Sequence, residues 1–195
     1  MAEGDGNVLY QTARVTLCRL TSEHRSEFVQ LANVSTEFLR PWVRLPVSLA
    51  EFDEYLDRFD GQAAECTLIC LKESGRIAGT ASLSNIIRGP YQRATVGYNA
   101  FAPTARRGYM SEGFPLVCRF AFEELGLHRL EADIQPDNGP SLQFAKRVGL
   151  RREGYSPAYA YVNGDWRDHE RWAVSATASD VPGAGQRGDI PRRGD

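Results

Sequence analysis

Two short segments carry the residue types that could do chemistry. The first is Ala105-Arg106-Arg107-Gly108-Tyr109-Met110, a basic, glycine-containing turn. It follows the strand-like run Thr95-Val96-Gly97-Tyr98-Asn99-Ala100-Phe101 and leads through Ser111 into an amphipathic stretch. A strand that enters a turn and then a helix leaves the first-turn amides without carbonyl partners, and the helix dipole favours an anion there. Arg106 and Arg107 add two positive charges beside that N-terminus. Solvated surface charge is their ordinary role, but this placement favours contact with a phosphate. The second segment is Asp137-Asn138-Gly139-Pro140-Ser141, which follows a strand at 129–134. Its composition suits a turn and the cap of a further helix. Together the two segments imply a protein that holds a phosphorylated cofactor.

The elements that must position these segments can be read from the periodicity. Residues 1–12 read as a flexible arm, 13–177 as one domain and 178–195 as a disordered tail of Gly, Pro, Arg and Asp. Alternation predicts strands over 15–20, 66–72, 76–85, 94–101 and 129–134. Asn163-Gly164 predicts a tight hairpin joining strands of about 154–162 and 166–175. Helical spacing predicts helices over 23–32, 48–59, 109–125 and 141–148, the second with Leu49, Phe52, Leu56 and Phe59 on its apolar stripe. Pro115 falls inside the long helix. Either that helix starts nearer Ser111 or its first turns are kinked. The fold class is α/β: a mixed, mostly antiparallel sheet of about seven strands flanked by helices.

Composition excludes several functions. With 23 basic and 25 acidic residues the chain is nearly neutral, unlike a dedicated nucleic-acid binder. No stretch approaches the ~18 apolar residues of a membrane span. The start, Met1-Ala2-Glu3-Gly4-Asp5-Gly6, lacks the basic and apolar regions of a signal peptide. Cys18, Cys66, Cys70 and Cys118 lie in apolar stretches without zinc spacing, so they read as core residues in a reducing, cytoplasmic protein. No metal is expected.

In order and spacing, the strand, the Arg-Arg-Gly-Tyr-Met turn, the helix, the next strand and Asn138-x-x-Ser141 resemble the GNAT superfamily of acetyl-CoA-dependent N-acetyltransferases. The resemblance is nearest to its ribosomal-protein-alanine (RimJ/RimL) branch. It extends over about residues 10–176 and includes 84–89, 123–129, 136–138 and 163–169. Two departures stand out. Ala105 occupies the place of the usual Gln or Arg of the turn, and Met110 that of a small residue. A third concerns the branch: Thr95 stands where it often has Glu.

The resemblance implies acetyl-CoA as cosubstrate. Its pantetheine arm is expected along the backbone of Asn99, Ala100 and Phe101, and its pyrophosphate on the turn from Arg106 through Arg107, Gly108, Tyr109 and Met110 to Ser111. Asn138 is expected to bind the arm, and the Ser141 hydroxyl to protonate or hydrogen-bond the departing thiolate. Glu131 is the candidate base; its bland alternative is an ion pair with a neighbouring arginine. Trp42 and Tyr159 are expected beside the acceptor. Asp168 and His169 could instead orient the last strands. The acceptor is a peptide N-terminal α-amine or a small-molecule amine such as an antibiotic or aminoacyl compound. A non-catalytic acyl-CoA-binding module is the reading from another class. No nucleic acid or membrane partner is expected, and the chain is read as a monomer or homodimer.

Overall fold

The computed structural model describes residues 7–176. The expected tail, 178–195, lies outside the described residues. One sheet of eight strands runs in the order β1-β2-β3-β4-β5-β6-β8-β7. The strands are β1 (Val8–Gln11), β2 (Val15–Arg19), β3 (Glu65–Leu71), β4 (Ile77–Ile87), β5 (Arg93–Ala100), β6 (Arg129–Ile134), β7 (Arg151–Val162) and β8 (Asp165–Ser175). The helices are α1 (Arg25–Leu39), α2 (Leu49–Leu56), α3 (Tyr109–Arg119) and α4 (Gly139–Arg147). Neighbouring strands are antiparallel except β5 and β6, which are parallel.

The alternation of β3 builds two cores. Cys66, Leu68 and Cys70 face one way, into a cluster with Phe28 of α1, Phe52 of α2 and Phe101. Phe28 is the hub, with ring centroids 5.2 Å from Phe52 and 5.5 Å from Phe101. Ile69 faces the other way, beneath Phe114, Val117 and Cys118 of α3. All four cysteines are buried free thiols, as core residues should be.

Three sequence expectations need correction, and a fourth, on the long helix, is resolved. The sheet has eight strands rather than about seven, because Val8–Gln11, expected within a flexible arm, pairs with β2. Tyr10 anchors this short edge strand: the Arg119 guanidinium lies 4.3 Å from its ring centroid, and its hydroxyl donates to Glu124 at 3.2 Å. Helix α1 runs to Leu39 rather than 32, and buries Ser35, whose Oγ accepts from the Ala102 amide at 2.9 Å. Leu49 is exposed, because it opens α2 behind the Ser48 cap rather than facing the core. The long helix does start at Tyr109, so Pro115 lies inside it and leaves the Ser111 carbonyl without its usual helical donor. After Arg119 the helix loosens into a π-helical stretch, Phe120–Glu124.

The feature that positions the site is the junction of β5 and β6. They pair only at Arg93↔Arg129, Ala94↔Leu130 and Thr95↔Glu131. Beyond Thr95, β5 continues along β4 while β6 continues along β8. The parallel strands therefore part, and a wedge opens in the middle of the sheet.

Candidate active site

The β5 edge of the wedge presents unpaired backbone. On the β4 side, Asn99 lies opposite Thr80 and Ala100 opposite Gly79, and the Phe101 amide donates to the Ala78 carbonyl at 3.0 Å. Antiparallel ladders alternate bonded and non-bonded pairs. That phase commits Asn99 and Phe101 to β4 and turns the N–H and C=O groups of Tyr98 and Ala100 toward the wedge. The expectation of free backbone at Asn99, Ala100 and Phe101 is thus corrected to Tyr98 and Ala100. The Phe101 carbonyl is also occupied, by the amide and hydroxyl of Thr104.

Beyond β5 the chain turns through 105–108 into α3. Gly108 caps that helix at φ +83°, a left-handed conformation that glycine adopts without steric cost. The first helical bond runs from the Glu112 amide to the Gly108 carbonyl at 3.0 Å. The amides of Gly108, Tyr109, Met110 and Ser111 have no acceptor among the described residues, as expected of a helix start. Arg106 and Arg107 are exposed, with side chains unpaired among the described residues. Met110, the bulky departure from the expected turn, points away from these amides. Its side chain packs over Gly79, where a Cβ would overlap the Met110 Sδ and the Asn99 carbonyl oxygen.

A clamp missed in the sequence holds this turn. Arg14, just ahead of β2, places Nε 2.6 Å from Glu112 Oε2 and Nη1 3.4 Å from the Arg107 carbonyl. Its guanidinium also lies 5.1 Å from the Tyr109 ring centroid. Thr12 donates to Glu112 at 2.5 Å. Partial burial pushes the Glu112 carboxyl upward, but the bonds from Thr12 and Arg14 outweigh it and hold the carboxyl below its ordinary range. No local spacing signalled a partnership across about a hundred residues.

On the far side of the wedge, α4 begins at Gly139. Asn138 is its N-cap, with Oδ1 accepting from the Ser141 amide at 3.2 Å. The cap reading of this segment thus belongs to Asn138, and it leaves the Ser141 hydroxyl free for other work. That hydroxyl donates to the Tyr98 hydroxyl at 3.1 Å, and Tyr98 donates to the Ser141 carbonyl at 3.3 Å. Burial pushes the Tyr98 hydroxyl up to about 12, against a smaller opposing effect of the Ser141 bond. Tyr98 therefore stays protonated at neutral pH and serves as a donor. In the sequence it reads only as an apolar strand residue, so the partnership was not visible.

The other face of the wedge carries Glu131 and Asp133 of β6. Glu131 is not a free base. Its Oε2 accepts from Arg93 at 2.6 Å and Arg171 at 3.3 Å, and its Oε1 from Arg129 at 2.7 Å. Three of roughly four acceptor positions on the carboxylate are filled. The ion-pair reading replaces the catalytic one.

Asp133 lies two residues further, past the last β5–β6 pair. Its Oδ2 accepts from the Tyr159 hydroxyl at 3.1 Å. Its Oδ1 is buried without a hydrogen bond, 3.4 Å from Arg171 Nε. Tyr159 thus lies at the wedge, although its strand is separated from β6 by β8. A bulge between Ser156 and Ala160 turns it inward, and Asp168 holds that bulge by accepting from the Ala158 amide at 2.7 Å and from the Tyr155 hydroxyl. Asp168 therefore orients the last strands. Trp42 sits in the turn after α1, where the Pro41 carbonyl accepts from Asn163 of the hairpin tip at 2.6 Å. A groove of about 500 Å³ runs there between α1 and residues 40–47, but Trp42 does not line it.

Comparison with known proteins decides the family. The family profile described as "Acetyltransferase (GNAT) domain" matches residues 14–151. The chain belongs to the GNAT acetyltransferases. Probable N-acetyltransferase YjcK of Bacillus subtilis (strain 168) is 32% identical over 155 residues, covering 80% of this chain and 84% of that protein. The [ribosomal protein uS5]-alanine N-acetyltransferase of Escherichia coli (strain K12) is 32% identical over 99 residues, 51% of each chain. Among solved structures, Mycobacterium smegmatis RimJ in complex with CoA-disulfide superposes with a TM-score of 0.76 at 22% identity, over 83% of this chain and 82% of that one. This GNAT protein is accordingly an acetyl-CoA-dependent acyltransferase. Its residues fit that cosubstrate: amides unpaired among the described residues for phosphate, a free strand edge for an amide-bearing arm, and a half-buried hydroxyl pair beside it.

Proposed function

We propose that this GNAT enzyme moves the acetyl group onto the α-amine of a polypeptide, in the cytoplasm. The observation that carries the reading is the charge balance of the acceptor face. Glu131 is bound by Arg93, Arg129 and Arg171, Glu153 by Arg129, and Asp133 lies beside Arg171. Every one of these carboxylates already has a guanidinium. A small polycation finds no surplus negative charge to hold it there. A weakly basic acceptor needs none, because an α-amine has a pKa of about 7.7–8.0, against about 10.4 for lysine, and is partly neutral at cytoplasmic pH. The names carried by the relatives, in particular the uS5-alanine enzyme, point the same way.

In this reading the amides of Gly108 to Ser111 hold the pyrophosphate, with Arg106 and Arg107 beside them. The backbone of Tyr98 and Ala100 aligns the pantetheine arm, and one of their amides polarises the thioester carbonyl. Such a preorganised donor is worth roughly 10²–10³ in rate. Asn138 contributes its side-chain NH₂, since its oxygen caps α4. The Ser141 hydroxyl, backed by Tyr98, supplies a proton to the departing thiolate. Trp42 and Tyr159 flank the acceptor.

The test is thiol release from acetyl-CoA with peptides of varied N-termini, spermidine and a panel of aminoglycosides. Peptides with a small N-terminal residue are expected to exceed every small amine by at least tenfold in kcat/KM. A clear preference for spermidine or an aminoglycoside overturns the reading.

A further inference from the structure

We propose that Tyr159 and Asp133 form a proton relay that takes the proton released by the acceptor amine, an inference that rests on the acetyl-transfer reading of the site. Three observations converge. Asp133 Oδ1 is the one buried side-chain polar atom without a hydrogen bond among the described residues, its nearest cation being Arg171 Nε at 3.4 Å. Such an atom is costly to keep and calls for an explanation. Asp133 also lies where β6 has left β5, on the face opposite Ala132 and Ile134, which pack beneath α3 and α4. Finally, the bulge in β7 sends Tyr159 across β8 to reach it: the Tyr159 ring lies 5.6 Å from the His169 ring and 5.4 Å from the Arg171 guanidinium. Bulges commonly re-aim a side chain beside an active site.

The arrangement separates the two proton transfers. The Ser141–Tyr98 pair lies on the α4 side of the wedge and Tyr159–Asp133 on the other. Attack of the amine forms the N–C bond and leaves a cationic nitrogen. That nitrogen is far more acidic than the free ammonium, so a carboxylate can serve as its proton acceptor. Its N–H bond breaks as the proton passes to Tyr159 Oη, whose own proton moves to Asp133 Oδ2. The C–S bond breaks, and the thiolate takes the Ser141 proton. Asp133 then returns its proton through Tyr159 to solvent, and the Ser141 oxygen recovers a proton from solvent. Tyr159 is partly exposed, so it meets the amine, while Asp133 behind it acts as the proton sink. The charged and titratable groups facing the pair are Glu131 of β6 and His169 and Arg171 of β8. Burial and the Asp133 charge raise the Tyr159 pKa while Arg171 opposes them, so the phenol stays protonated and relays rather than ionises.

The experiment compares the natural protein with Tyr159→Phe, Asp133→Asn and the double variant. Acceptors are an alanine-terminal hexapeptide, alanine methyl ester and water, the last read as slow hydrolysis of acetyl-CoA. Each single variant is expected to lower kcat at least tenfold at pH 7 and leave the acetyl-CoA Kd within twofold. The double variant should be no slower than the slower single, because both residues serve one path. The deficit should narrow as pH rises and solvent takes over the proton. Unchanged turnover of every acceptor by Tyr159→Phe overturns the relay, as do effects that multiply in the double variant or a deficit that does not vary with pH. Should Asp133→Asn fail to fold, the exposed Tyr159→Phe still decides through kcat and its pH profile. Loss of peptide turnover alone in the natural protein, with ester and water still used, removes the peptide reading and leaves the relay to be judged on those two. No turnover of any acceptor removes the acetyl-transfer reading and the relay together.

Discussion

The two sides of the wedge solve opposite problems. The cofactor side, from β5 through the 105–108 turn into α3, works by what it leaves unsatisfied. Among the described residues four successive amides and one strand edge lack hydrogen-bond partners, and in the proposed reading the cosubstrate completes them. The acceptor side works by saturation. Its arginines and carboxylates neutralise one another, and among the described residues only the buried Asp133 Oδ1, ion-paired with Arg171, makes no hydrogen bond. In the proposed reading a large anionic cosubstrate is held by open backbone, whereas an uncharged nucleophile needs a site with little net field. The contrast teaches that charge pairing near a catalytic centre can define the acceptor by withholding attraction.

The largest expected effect tests the open side. Gly108→Glu places a negative side chain at the cradle and forces a left-handed φ on a residue with a Cβ, which costs roughly 1–2 kcal/mol on its own. Acetyl-CoA binding by calorimetry is expected to fall more than a hundredfold. Affinity within threefold of the natural protein places the pyrophosphate elsewhere.

Ser141→Ala comes next. General acid assistance is worth roughly 10²–10⁴ in rate, so kcat is expected to drop by that much with little change in acetyl-CoA affinity. Because Asn138, not Ser141, supplies the side-chain cap, the melting temperature should hardly move. Asn138→Ala should instead lose about 1 kcal/mol of stability. If Ser141→Ala melts early and turns over normally, the hydroxyl is structural and the proton comes from elsewhere.

The smallest effect concerns the Arg14–Glu112 clamp. The Glu112 carboxyl titrates below its ordinary range in the folded protein. Its contribution is therefore complete above the unfolded carboxylate pKa and is lost as pH falls through the lower, folded value. Urea denaturation should show a decline of roughly 0.5–1 kcal/mol on acidification, the scale of an exposed ion pair. Glu112→Gln should remove that component and should be no more stable at neutral pH. A variant with the same acid dependence as the natural protein shows that the clamp is energetically silent.

The turn at 105–108 and the starts of α3 and α4 are legible because their signals are local. Arg106 to Ser111 and Asp137 to Ser141 each lie in one short run, and turn chemistry and helix-start rules apply within such runs. The β6 strand was also read correctly, from the alternation of Leu130, Ala132 and Ile134. What stayed hidden was assembled from far apart. Tyr98 meets Ser141 across 43 residues, Arg14 meets Glu112 across 98, and Tyr159 reaches Asp133 across 26 through a bulge that no periodicity reveals. The phase of β5 was equally out of reach, because which residues bond to β4 depends on register. Glu131 misled for a related reason: its strand position aims it at the cleft, but its partners come from three other places, Arg93, Arg129 and Arg171.

The contact between Gly79 and Met110 keys the cradle to the sheet. A thioether wedged against a position without a Cβ prevents α3 from sliding along its own axis relative to β4. The four open amides are therefore fixed in height above the strand edge of Tyr98 and Ala100. In the proposed placement, the distance from pyrophosphate to thioester is thus gauged by packing on the buried side of the helix, away from any ligand. In that placement a longer or shorter acyl carrier would meet the same fixed interval, and the donor would be measured from within the core.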